Sequence, residues 1–403
     1  MIKEELLHYI WRTHRIPKIG LQTTEGHFVE ILSPGILNHG DGPDFSNAKI
    51  RIDDLVWSGP VEMHLKSSDW YAHKHETDSR YDNVVLHVVL EENQAVFING
   101  RRLPCIEIQK FVDAKLLHHY TQLQSCKESL ACAPYEIQNI SESFMWMRDK
   151  LISERLENKT KQLKIPGASM QQVFFTLFFA ALGAKANKEP FMDLAKRINW
   201  AQIARWKQKP ERIYCYLMLL SGLFDDNEIH SPEKNLIQQY TANIEMRREV
   251  WRTRSIRPPS QPKKRVLELC AVIQNELCSP LYEASNAFDF NDAWLELLKN
   301  MQDSSNFGFH WSDFTLNNIA INAISPFAFY RGLQTSEADW FDYALYALDE
   351  WPAEQNNIVQ LYKNKSLKIK TSGDSQALLE LNKNYCLPKK CVSCAIGTSL
   401  LRA

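Results

Sequence analysis

The chain has 403 residues, 44% hydrophobic and 24% charged, with a formal net charge of −1. That length accommodates two or three domains, and near-neutrality removes any global electrostatic case for nucleic-acid binding, leaving only local patches. Nine cysteines, scattered singly except near the C-terminus, argue against a disulfide framework and for thiols or metal ligands in a cytoplasmic protein.

The start, Met1-Ile2-Lys3-Glu4-Glu5-Leu6, has two acids and no apolar stretch, so no signal peptide is expected. Lys3–Arg12 reads as a helix. Strand signals follow at Phe28–Leu32, Ala48–Ile52, Leu55–Trp57, Val61–Lys66, Val84–Leu90 and Ala95–Ile98, punctuated by Gly, Asn and Asp. Val84–Val89 is apolar apart from His87, as expected of a strand covered on both faces. Phe111–Gln124 reads as a second helix.

Near residue 135 the pattern turns helical. After Ser141, apolar residues recur three to four apart (Phe144, Met147, Leu151, Ile152, Leu156), the spacing of a helix that packs one face. Further helices are predicted at Met170–Leu182, Pro190–Ile198, Glu211–Leu220, Glu233–Tyr240, Val266–Asn275, Asn291–Lys299 and Trp340–Ala347. Val173–Leu182 is far shorter than the ~20 residues of a membrane span; with Ser169 as N-cap and Gly183 as stop it predicts a buried core helix. Arg254–Lys264, with three prolines, reads as a linker. The expected class is α+β: an α/β domain over 1–135 with a three-strand meander, then a mainly helical domain over 136–403.

Chemistry concentrates in Gly42-Pro43-Asp44-Phe45 and Val61-Glu62-Met63-His64-Leu65-Lys66. A strand alternates its side chains with period two, so Glu62, His64 and Lys66 share one face. Two carboxylates meeting beside a His or Lys suit metal-assisted phosphodiester hydrolysis. Asp44 reaches the Glu62 face if the hairpin loop has three residues, Asp53-Asp54-Leu55. A two-residue loop, Asp53-Asp54, sets it opposite Met63 on the other face.

This stretch resembles the PD-(D/E)XK nuclease signature, with Asp44 as the first acid, Glu62 as the second and His64 in the usual Lys position, Lys66 lying two residues on. The resemblance implies a restriction-endonuclease-like core, Mg²⁺ or Mn²⁺ held by Asp44 and Glu62, and a nuclease mechanism with His64 and Lys66 handling water and phosphate charge. A wider run, from Gly42 through Tyr81-Asp82-Asn83-Val84-Val85-Leu86-His87 to Arg257-Pro258 and Cys391-Val392-Ser393-Cys394-Ala395-Ile396-Gly397, also resembles an uncharacterised bacterial family with a domain-of-unknown-function label.

Three further constellations stand beside it. In Asp69-Trp70-Tyr71-Ala72-His73-Lys74-His75-Glu76-Thr77-Asp78, His73 and His75 with Asp78 suit a zinc hydrolase; otherwise the segment is a loop lending His73 or Asp69 to the first site, or a plain polar loop. Cys386-x4-Cys391-x2-Cys394 has the knuckle spacing of zinc or an iron–sulfur cluster, with Cys132 as a fourth ligand, or holds incidental thiols. The basic run through Arg252, Arg254 and Arg257, with Trp251, suits a nucleic-acid backbone and base stacking, or is a solvated face. The expected activity is thus a metal-dependent nuclease acting on nucleic acid, without a membrane partner. The alternatives are a non-catalytic nucleic-acid- or protein-binding scaffold, or a zinc hydrolase built on His73 and His75.

Overall fold

A sheet-bearing N-terminal region followed by a mainly helical chain makes the fold mixed α+β in the computed structural model. The structure describes all residues except 1, 39, 136–139, 162, 164–166, 225–231, 243, 258–259, 303–308, 366 and 403, and the side chains of 232–234. Two compact units result, one of residues 1–147, 364–367 and 381–403, the other of 148–363 and 368–380. A division in chain order near 135 therefore assigns the last 23 residues to the wrong partner: Arg12 Nη2 donates to the Val392 carbonyl (2.7 Å) and Gln124 Nε2 to that of Lys389 (2.9 Å), tying this segment to the first unit.

In the first unit, helix α1 (Glu4–Arg12) packs against a sheet of strands β1 (Leu21–Gln22), β2 (Phe28–Ser33), β3 (Ile36–Leu37), β4 (Phe45–Ile52), β5 (Leu55–Lys66), β6 (Leu86–Glu91) and, after a separate two-strand ribbon β7 (Phe97–Ile98) and β8 (Arg101–Arg102), β9 (Cys105–Glu107). The sheet order is β1-β2-β4-β5-β6-β9, with β3 also on β4. β2, β4 and β5 form an antiparallel meander, and β6 and β9 extend it in parallel. The predicted strands at Leu55–Trp57 and Val61–Lys66 are one continuous strand through Gly59-Pro60. Val61 and Met63 point into the core with Phe45, Ile50, Leu86, Val88, Leu7 and Ile10. The opposite face carries Glu62 and His64. It is covered by the segment after β5, whose Trp70 and Tyr81 form a small aromatic cluster with Val84, Val96 and Leu103.

The β4–β5 register decides where Asp44 falls. Ile52 pairs with Leu55, so the hairpin has the two-residue loop that sets Asp44 opposite Met63. The ladder does not run straight, however. Ala48 pairs with Gly59 but Phe45 with Val61, so β4 holds one extra residue at a bulge where Asn47 takes φ +56°. Asp44 is carried back opposite Glu62, onto its face.

In the second unit the Met170–Arg197 span starts under an Ser169 cap that accepts the Gln172 N–H (3.2 Å), as predicted, and breaks at Ala184 (φ +47°) just after Gly183. Phe174 packs against Phe178 and Phe327, and Phe327 against Phe290, with ring centroids 5.2–5.7 Å apart. The predicted linker is shorter than expected: Pro262 opens the helix Pro262–Gln274 at its first turn, where a missing N–H costs nothing. Pro258 and Pro259 lie outside the described residues. Among the described residues no helix is long and apolar enough to cross a membrane.

Candidate metal centre

Four elements bring the site together. The turn before β4 is stapled by Asn38, whose side chain donates to the carbonyls of Asp41 and Pro43 (both 3.1 Å) and accepts the Gly40 N–H (2.9 Å). Gly42 sits at φ +101°, a conformation that favours glycine. The turn delivers Asp44, whose N–H donates to Glu62 Oε2 (3.0 Å) while its own Oδ2 accepts the Met63 N–H (3.0 Å). The two acids are thus locked to each other through backbone as well as shared face. From α1, His8 Nε2 stands 3.2 Å from Asp44 Oδ2.

Beyond β5, helix α2 (Asp69–Ala72) ends at His73, and Lys74 then takes φ +62° before a short 3₁₀ turn at His75–Thr77. An extended segment is not needed for the two imidazoles to agree. The left-handed Lys74 turns the chain so that His73 and His75 both face Glu62 and His64. His64 Nε2 lies 3.2 Å from His73 Nδ1 and 3.6 Å from Glu62 Oε1, and His75 Nε2 lies 3.3 Å from Glu62 Oε1. One nitrogen from each of His64, His73 and His75 falls within 4.8 Å of the others, the single such grouping of metal-capable side chains among the described residues. A tetrahedral zinc site with bonds of 2.0–2.1 Å has ligand edges of about 3.3–3.4 Å, close to the His64–His73, His75–Glu62 and His64–Glu62 separations. His75 Nε2 is buried and makes no hydrogen bond, an orphan that a cation would satisfy. The donor set fits a nitrogen-preferring divalent ion.

The electrostatics agree. Burial first, then neighbouring His87, His75 and His73, hold the His64 pKa down to about 2; burial and then His75 hold that of His87 to about 3. Both rings are therefore neutral, the form that ligates metal. Burial, then Asp44, pushes the Glu62 carboxyl well above the ordinary carboxylate range. Buried neutral imidazoles against an acid that resists ionising form a site short of positive charge.

A family model matches residues 4–357. The chain belongs to the family of proteins of unknown function DUF2851. No curated protein and no solved structure matches it. The part matched by the DUF2851 model takes in Asp44, Glu62, His64, His73, His75 and His87 and ends before the C-terminal cysteines.

Several expected site residues fall elsewhere. Lys66 is exposed at the end of β5, and its backbone N–H, not its ammonium, is engaged, donating to Asp69 Oδ2 (3.0 Å). Asp78 turns from the histidines to Arg80, accepting its Nε at 3.0 Å. Cys386, Cys391 and Cys394 do not gather within ligand distance; Cys391 and Cys394 are buried, and burial raises their thiol pKa to about 12 and about 11. Gly397, at the end of that motif, is there for packing, because a β-carbon would collide with the Cys391 backbone. In the basic run Arg252, Arg254 and Arg257 are exposed, but Trp251 is buried with Nε1 donating to the Ser221 carbonyl (2.7 Å), so it offers no stacking face. Arg265 is turned inward onto Glu268 (2.6 Å).

Two residues escaped the motif reading. His87 was visible as the lone polar residue of an apolar strand. His8 had a weaker signal, lying four residues after Glu4 and so on its face of α1.

Proposed function

We propose that this protein is a metal-dependent hydrolase of phosphodiester bonds, on a restriction-endonuclease-like core, with one divalent ion held by Glu62, His64, His73 and His75. The observation that carries the reading is the grouping of one nitrogen each from His64, His73 and His75 within 4.8 Å of one another, with Glu62 Oε1 3.3 Å from His75 Nε2 and 3.6 Å from His64 Nε2. The nuclease part is supported by the order of β2, β4, β5 and β6, with the acids at the start of β4 and in β5, together with the Asp44…Glu62-x-His64 signature. Three imidazoles favour zinc, with manganese as substitute, over Mg²⁺, which prefers oxygen ligands and retains its waters.

When bound, such an ion lowers the pKa of a water and polarises the phosphoryl oxygen. The chain's own residues do the rest. Glu62 and the histidines hold their places because β5 and the Lys74 turn fix them. Asp44, anchored by the Met63 N–H, orients His8 at the more exposed side of the site, where the pair takes and returns the proton of the attacking water. The buried His64 stays neutral and does not serve as the base.

The test is cleavage of mixed DNA and RNA by purified protein with Zn²⁺, Mn²⁺ or Mg²⁺. Cleavage with Zn²⁺ or Mn²⁺, lost by at least about a hundredfold in Glu62→Ala, is expected. No cleavage with any of the three ions, or cleavage that survives Glu62→Ala, would overturn the reading.

A further inference from the structure

His64 has a second nitrogen. Its Nδ1 lies 2.9 Å from His87 Nε2, and both rings are buried, His64 at 1% exposure and His87 at 0%. His87 is the register partner of Glu62 on the adjacent parallel strand, so the sheet ladder itself sets this contact. Trp70 packs edge-on against the His87 ring (centroids 5.5 Å apart) and against His75 (5.4 Å). The Nδ1 of His87 is buried and has no hydrogen-bond partner.

Proton counting over these two rings gives one consistent arrangement for a loaded site. A neutral imidazole carries one N–H and one lone pair. If His64 Nε2 turns its lone pair to the ion, its hydrogen must sit on Nδ1. That hydrogen can go only to His87 Nε2, which must then present a lone pair and keep its own hydrogen on the partnerless Nδ1. The sheet thus supplies a neutral imidazole where metal-binding histidines ordinarily meet a carboxylate or a carbonyl.

We infer that His87 is a positioning residue: through the His64 Nδ1–H···His87 Nε2 bond it fixes the tautomer and ring plane in which His64 takes a divalent ion. This rests on the metal reading above. A neutral acceptor withdraws less charge from the ligand's N–H than a carboxylate does, so it leaves His64 a weaker donor and the ion more electrophilic. The unsatisfied Nδ1–H of His87 opposes this arrangement. Removing the acceptor is expected to loosen the ion without touching any ligand.

The experiment uses the full-length protein and Zn²⁺ itself, with affinity measured by chelator competition and geometry by the visible spectrum of Co²⁺ in its place. His87→Phe keeps a ring beside Trp70 but cannot accept a hydrogen bond; His87→Gln can. The expected result is zinc affinity lowered about 10- to 100-fold in His87→Phe, a changed Co²⁺ spectrum, and recovery to within a few-fold in His87→Gln. In the zinc-loaded wild type, imidazole ¹⁵N shifts should show His64 protonated at Nδ1 and His87 unprotonated at Nε2. That measurement stands even if His87→Phe fails to fold. Wild-type affinity in a folded His87→Phe, or a proton on His87 Nε2, would overturn this inference and leave the metal site standing. A wild type that takes neither Zn²⁺ nor Co²⁺ overturns both.

Discussion

Each unit holds a buried polar cluster, one centred on arginines and the other on histidines. In the helical unit, Arg148 Nε donates to Asp374 Oδ1 (2.7 Å) and its Nη2 to Asp349, while Thr371 bridges to the same Asp349 oxygen (2.8 Å). Nearby in type, Arg265 donates to Glu268 Oε2 (2.6 Å) and Thr315 Oγ1 (3.0 Å), and Trp311 Nε1 to that Glu268 oxygen (2.8 Å). Charges there meet opposite charges, and only Arg265 Nε of these donors is left without an acceptor. In the sheet unit, His64 faces the imidazoles of His87 and His73, the acids Asp44 and Glu62 lie beside each other with His8 and His75 against them, and His75 Nε2 makes no hydrogen bond. The contrast is between buried polarity closed by guanidinium–carboxylate pairs and buried polarity that, on the reading proposed above, a metal ion would complete.

The sharpest way to break the comparison is to remove one member from each. Asp374→Ala leaves Arg148 buried against a depleted partner set and should cost about 3–5 kcal/mol of stability in urea unfolding. Glu62→Gln in metal-free protein should cost far less, since it removes an acid that burial and Asp44 already keep from ionising. Equal losses would mean that the histidine cluster is as structural as the arginine one.

The next largest effect is that of the ion. Zinc at a hundred times its dissociation constant should raise stability by about 2.7 kcal/mol, read as a saturable, chelator-reversible rise in melting temperature. His64→Ala should abolish the rise and Asp374→Ala should leave it intact.

The smallest effect, and the most diagnostic of like-with-like packing, is the pH profile of metal-free protein. Unfolded imidazoles gain a proton near 6.5, whereas His64 and His87 stay neutral in the fold down to about 2 and about 3. Below 6.5 the unfolded state therefore binds more protons at these two sites, and their contribution to stability is lost as pH falls. Glu62 works the other way: its raised pKa lets the fold keep a proton that the unfolded chain releases near 4.5. Of these three groups only Glu62 differs above 6.5, and its contribution to stability falls as pH rises, by at most about 1.4 kcal/mol per pH unit. The joint contribution of these three groups is expected to peak near pH 6.5, read as the difference between the wild-type profile and that of a His64→Ala, Glu62→Gln double variant, with zinc flattening the alkaline side by favouring ionised Glu62. A metal-free profile level from pH 5 to 8 would show that these groups feel no such crowding.

Much of this protein was legible in its sequence because the signals are local. Alternating or apolar runs marked the strands, three-to-four spacing marked the helices, Ser169 marked a cap, and the period of two set Glu62 and His64 on one face. Placement through space was another matter. The hairpin loop read alone sends Asp44 to the wrong face; one bulge residue at Asn47 returns it, and a bulge has no strong sequence signature of its own. A left-handed Lys74, which side-chain sterics make uncommon, turns His73 and His75 to the same side. His87 joins them only because a parallel strand lies beside β5, a pairing set by non-local contacts. Distance along the chain misled in the other direction for the cysteines, whose knuckle spacing is right but whose three thiols do not come within ligand distance of one another. The sequence by itself determined which residues have the chemistry to hold a metal ion. Only the tertiary structure decided which of them meet, because convergence depends on register, one bulge and one left-handed residue, where small backbone differences move a side chain across the sheet.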